Sequence, residues 1–173
     1  MTVAIRVSTE VIYGMGHFIR CLSIRSYINK KVIWFIDDRN KNIEDRIPKD
    51  DQKNFEKKSE NFYKLKNLIL EKKIDIILID NYFININEIK KIDKNIFTVL
   101  ILDKKSNIKA NIIICPQPID FNTSNKIKYL CGPKYAPISS NYKRKKNNTN
   151  FSHLLISFGS YDSKGLTLKV IQA

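Results

Sequence analysis

The segment Gly14-Met15-Gly16-His17 is where this chain concentrates residue types capable of chemistry. Glycines let the backbone turn sharply and let a ligand come close, and a helix beginning there offers N–H groups and positive potential to an anion. His17 stands directly after the turn. The positive end of a helix favours the neutral imidazole, which can take up a proton. A dinucleotide fingerprint would need a third glycine at position 19, which is Ile19, although Asp37 falls where a ribose-binding acid belongs. The pattern therefore argues against NAD(P). Cys21, four residues beyond His17, would share its helical face, but a metal pair needs further ligands and none is close in sequence. A buried reduced thiol is the better reading of Cys21; with Cys115 and Cys131 the cysteine count is odd and holds no C-x-x-C. No metal and no cofactor is expected.

The elements that must position these groups alternate short apolar runs with helical ones. Val3 to Val7 reads as a strand, and apolar positions recur at helical spacing from His17 to about Ile28. Val32 to Ile36, Ile74 to Ile79, Ile96 to Leu102 and Asn111 to Cys115 read as four more strands. Helices are expected from Phe62 to Leu70 and around Asn87 to Ile92, while Asp38 to Lys58 reads as a loop or poorly ordered helix. Strands that are apolar throughout and separated by helices predict an α/β fold, a Rossmann-like parallel sheet covered by helices. The apolar runs close on Asp37-Asp38, Asp80-Asn81-Tyr82, Asp103 and Gln117, and open α/β sheets bind ligands at that edge.

A first domain is expected over residues 1–138 and a linker over 139–150, which is almost free of apolar residues. Residues 151–173 then read as the start of a truncated second domain: a strand from His153 to Phe158, a turn at Gly159 to Asp162 and a helix from Ser163. The longest apolar runs are far too short to cross a bilayer, and Arg6 and Glu10 interrupt any signal peptide, so a soluble, cytoplasmic protein is expected. The net charge of +14 invites a nucleic-acid reading. Ile, Lys and Asn, all with A/T-rich codons, make up 72 of the 173 residues, and the lysines are scattered apart from Lys143 to Lys146. Surface bias explains that charge better than a nucleic-acid footprint with interleaved aromatics.

Gly14-Met15-Gly16-His17-Phe18-Ile19-Arg20-Cys21-Leu22 resembles the G-x-G-H-x-x-R-C-L element of the PseG family, UDP-sugar hydrolases of pseudaminic acid biosynthesis related to SpsG-type proteins. Ile79-Asp80-Asn81-Tyr82 resembles the family's I-D-x-Y, and Leu102-Asp103 its D-D. Cys131-Gly132-Pro133-Lys134-Tyr135-Ala136 is similar to its L-G-P-x-Y-A, and Ser157 to Asp162 to its F-G-G-x-D. The resemblance implies the N-terminal half of a GT-B-like fold, with the sugar held by this half and most of the UDP by a C-terminal domain. It implies metal-independent water attack at the anomeric carbon, releasing UDP and a diacetamido-trideoxyhexose.

On that resemblance His17 is the catalytic base, partly exposed in the cleft, and Gly14, Gly16, Arg20, Asp80 and Tyr82 contact a UDP-linked deoxy amino sugar. Departures are Ser8 where the family's R-x-D has its Asp, Lys104 for the second Asp of D-D, and Ser160 for a glycine. Two alternatives share these motifs: half of a UDP-sugar glycosyltransferase, or an inactive sugar-nucleotide-binding module.

Overall fold

A computed structural model describes residues 1–9, 15–37, 41–55, 67, 69–81, 92, 95–120, 127–142, 154–158, 162 and 164–172. Seven strands form one sheet: β1 (Val3–Val7), β2 (Val32–Ile36), β3 (Gln52–Phe55), β4 (Ile76–Asp80), β5 (Phe97–Ile101), β6 (Ile112–Cys115) and β7 (Lys128–Cys131). Their order is β3-β2-β1-β4-β5-β6-β7, and every pairing is parallel. The fold is Rossmann-like α/β. Helices α1 (Gly16–Arg25), α2 (Lys41–Glu44) and α3 (Leu166–Gln172) accompany the sheet, with a helical turn at 69–71 and a 3-10 turn at Pro133–Tyr135. Among the described residues no helix is long and apolar enough to cross a membrane.

The wholly apolar strands are apolar because both faces of the sheet are covered. Successive side chains alternate between faces. Ala4, Phe35, Ile77, Ile79, Leu100 and Ile113 line one face. Val3, Ile5, Val7, Trp34, Ile36 and Leu78 line the other, where Phe18 and Cys21 of α1 pack against them. Phe18 and Trp34 meet with ring centroids 5.8 Å apart and planes tilted by 55°. This face fixes α1 over β1 and β4.

Strands β1 and β2 coincide with the runs read from sequence, and β4, β5 and β6 lie within a residue or two of theirs. Two strands escape a reading by apolar pattern. The stretch expected as loop or poorly ordered helix holds α2 and β3, whose sequence QKNF is polar because β3 is the outermost strand beside β2. Likewise β7, KYLC, closes the opposite edge. An edge strand keeps one flank in water and needs no continuous apolar run. Of the strand expected from His153 to Phe158, residues 154–158 pair with no neighbour among the described residues, and Leu154 and Leu155 are 85% and 89% exposed. An apolar run becomes a strand only where a ladder partner takes up its backbone groups. Of the helix expected around Asn87 to Ile92, all but Ile92 lies outside the described residues.

Candidate functional site

The order β3-β2-β1-β4-β5 reverses direction between β1 and β4, so the crevice beyond their C-terminal ends is a topological switch point. Register sets what meets there. Val7 of β1 pairs with Asp80, the last residue of β4, and Ser8 continues the ladder with its N–H on the Asp80 carbonyl at 3.2 Å. Helix α1 begins beside them. Its N-cap, Met15, makes no side-chain capping bond, and the first backbone bond runs from Ile19 N–H to Met15 C=O at 2.9 Å. His17 is the second residue of that helix.

The ring of His17 lies with Nδ1 2.5 Å from Asp80 Oδ1. Asp80 itself is fully buried. One helical turn on, Arg20 donates from Nε to Asp80 Oδ2 at 3.0 Å and from Nη2 to Asp80 Oδ1 at 2.9 Å. The same guanidinium reaches Asp103, beyond the end of β5, from Nη1 to Oδ1 at 2.5 Å and from Nη2 to Oδ2 at 3.2 Å. Burial alone would weaken its hold on the proton, but the hydrogen bonds and charges of Asp103 and Asp80 outweigh it and raise its pKa. Arg20 is a permanent cation between two carboxylates.

One correction follows for the expected site, and two of its residues are not described. His17 was expected to be partly exposed, yet it is buried at 3%, because Asp80 at the floor of the crevice draws the ring inward. Arg20, expected on the substrate, turns its N–H groups to Asp80 and Asp103. Asp80, likewise expected there, is buried and bonded to His17 and Arg20. Gly14 and Tyr82 lie outside the described residues. Gly16 opens α1, and a Cβ there would meet no atom within 4 Å, so packing does not demand glycine at this position.

For other polar groups at this edge the sequence marked the position but not the partner. Asp37, matched above to a ribose-binding acid, is ion-paired in the interior with Arg6, whose Nη1 also donates to the Phe35 carbonyl at 3.2 Å. The Arg6 carboxylate thus comes from the neighbouring strand rather than from two residues onward. Asp103 joins the site through Arg20; the sequence marked it as the end of an apolar run and as part of the D-D resemblance, but not as a partner of Arg20. Ser8 and Thr9 bury their hydroxyls at the tip of β1 with no hydrogen-bond partner among the described residues. The Cys21 thiol, on the next turn after His17, is pushed well up by burial and by the charge of Asp80. It is a protonated core group, packed with Phe18 and the β1–β2 face.

Comparison with known proteins adds one relative. No family model matches the chain. The chain is 31% identical, over an alignment 195 positions long, to the uncharacterized protein MJ1062 of Methanocaldococcus jannaschii, a match that covers 99% of this chain. It spans 39% of that relative's length.

Proposed function

We propose that this chain is the sugar-side, water-activating part of a cytoplasmic UDP-sugar hydrolase of the pseudaminic acid type. The observation that carries the reading is the His17–Asp80 pair at the switch point of a parallel sheet. A carboxylate that holds Nδ1 directs the second ring nitrogen, Nε2, toward a water. In the step proposed, the water oxygen attacks the anomeric carbon while Nε2 accepts its proton. The bond from that carbon to the UDP oxygen breaks, and UDP departs with the electron pair, leaving the free diacetamido-trideoxyhexose. The resemblance adds Gly14, Gly16 and Tyr82 as the lining of the sugar pocket, and places the uridine contacts on a further domain.

The test combines binding and turnover on the 173-residue chain. Titration with the free sugar or the UDP-sugar is expected to shift the amide signals of Gly16 to Arg20. UDP alone should leave them in place, with affinity no better than about millimolar. Any UDP released from the UDP-sugar should fall on the order of a hundredfold or more in His17→Ala, as loss of a general base does. Micromolar binding of UDP, or release indifferent to His17, overturns the reading.

A further inference from the structure

Cys115 and Cys131 are the last residues of neighbouring strands, β6 and β7, and they are register partners, Cα opposite Cα. Register partners in a parallel pair project from the same face of the sheet, on strands about 4.7–4.9 Å apart. The face is identified two residues earlier on each strand, where Ile113 and Tyr129 pack into the cluster of Ile77 and Leu100. The N–H of Gly132, next after Cys131, donates to the Cys115 carbonyl at 2.9 Å and ties the two strand ends together. Cys115 is buried and Cys131 is partly exposed. Burial raises the Cys131 thiol, and the charge of Cys115 adds to that, so each sulfur lies in the field of the other.

A disulfide needs Cα atoms about 4.4–6.8 Å apart and side chains that leave the backbone on the same side. The strand spacing meets the first condition, and the shared face meets the second. The Cβ separation of a relaxed bridge, about 3.8 Å, is roughly 1 Å less than the strand spacing. Bridging would therefore draw the ends of β6 and β7 together, and the strain makes such a bond easy to reduce. Cys21 has no such partner, since it packs under α1 on the opposite face. In this structure all three thiols are free.

We propose that Cys115 and Cys131 are a reversible dithiol–disulfide pair, oxidised by a low-molecular-weight disulfide such as oxidised glutathione. Cys131, the partly exposed thiol, reacts first. It gives its proton to water, and its thiolate attacks one sulfur of the oxidant. The oxidant's S–S bond breaks, and one glutathione leaves with the electron pair. Cys115 then loses its proton, attacks Cys131 Sγ and expels the second glutathione. Two thiols are oxidised and one disulfide is reduced to two thiols. The bridge would join the strand ends that lead into Pro116 and Gly132, at the C-terminal edge of the sheet. It depends on the ladder alone and stands apart from the hydrolase reading.

The experiment equilibrates the 173-residue chain in glutathione buffers of rising oxidised fraction. Samples are quenched in acid, unfolded, alkylated and weighed by mass spectrometry. The wild type is expected to fall from three alkylatable thiols to one, losing two hydrogens and keeping no glutathione. Peptide mapping should join residues 115 and 131, and dithiothreitol should restore all three thiols. Cys115→Ser should leave glutathione on Cys131, because the resolving thiol is gone. Should that variant fail to fold, Cys115→Ala gives the same readout. Cys131→Ser should keep both remaining thiols, and Cys21→Ser should still form the bridge. Three thiols at every ratio, a glutathione that stays on wild-type Cys131, or a bridge to Cys21 or to a second chain overturns the proposal.

Discussion

Replacing Asp51 with Asn should unfasten the helix that carries the site. Arg25 is the last residue of α1, and its guanidinium donates to Asp51 from Nε to Oδ2 at 2.7 Å and from Nη2 to Oδ1 at 2.8 Å. The same carboxylate accepts from Trp34 Nε1 on Oδ2 at 2.8 Å and from Val32 N–H on Oδ1 at 3.0 Å. Its side chain is fully buried. Each oxygen thus takes one bond from a cation and one from a neutral donor. Asn turns one of them into an NH2, so whichever way it is placed, an Arg25 N–H and a neutral N–H face another donor. Losing a charge-assisted bond costs about 1.5–3 kcal/mol and an unsatisfied buried donor about 1–3 kcal/mol. The two overlap, and breaking a buried ion pair by removing one partner costs about 3–5 kcal/mol, the figure expected here. That is a large part of the roughly 5–15 kcal/mol of a typical domain.

The assay is urea unfolding followed by the fluorescence of Trp34, the only tryptophan and itself bonded to Asp51. It also carries a pH signature. Burial acts to raise the Asp51 pKa, but the hydrogen bonds from Arg25, Trp34 and Val32 outweigh it and hold the carboxyl below its ordinary value. A group depressed in the folded state stabilises fully above its unfolded pKa, about 3.9, and loses that contribution as pH falls through the folded value. The gap between wild type and Asp51→Asn should therefore be widest near neutrality and narrow below about pH 4. A loss under about 0.5 kcal/mol, the range of ordinary surface substitutions, would refute the reasoning, as would a gap that persists unchanged in acid.

Gly132 has φ of +99° and gives its N–H to the carbonyls of Cys115 and Gln117 at 2.9 and 3.1 Å. Since a Cβ there meets nothing within 4 Å, Gly132→Ala should cost backbone strain alone, about 1–3 kcal/mol in thermal or urea unfolding. Cys21 and Cys115 are buried and Cys131 is partly exposed, so a maleimide should alkylate one thiol in the native chain and three in denaturant. Burial raises the Cys131 thiol, so its reaction should keep accelerating above the ordinary thiol pKa of about 8.5.

Much of this protein was legible along the chain. Runs such as VIWFI, and VAIRV with Arg6 as its one charge, specify strands buried in a parallel sheet, and their boundaries are those of β1 and β2. Local pattern also placed His17 at a helix start and Asp80 at a strand end, since turn and strand-end chemistry is written within a few residues. The edge strands QKNF and KYLC were invisible to the same reading, because half-solvated positions tolerate any side chain. So was the absence of a ladder for residues 154–158, which depends on a neighbour rather than on the run itself. Partnership was the larger gap. His17 and Asp80 are 63 residues apart, and Arg20 and Asp103 are 83 apart. Asp37 falls where a dinucleotide fold would keep a ribose-binding acid, and it pairs with Arg6. Only the crossovers and the register of β1 against β4, Val7 opposite Asp80, bring these charges together. A charged side chain can be satisfied by any oppositely charged group that the fold delivers within about 4 Å, so its type is local information but its partner is a property of the packed sheet.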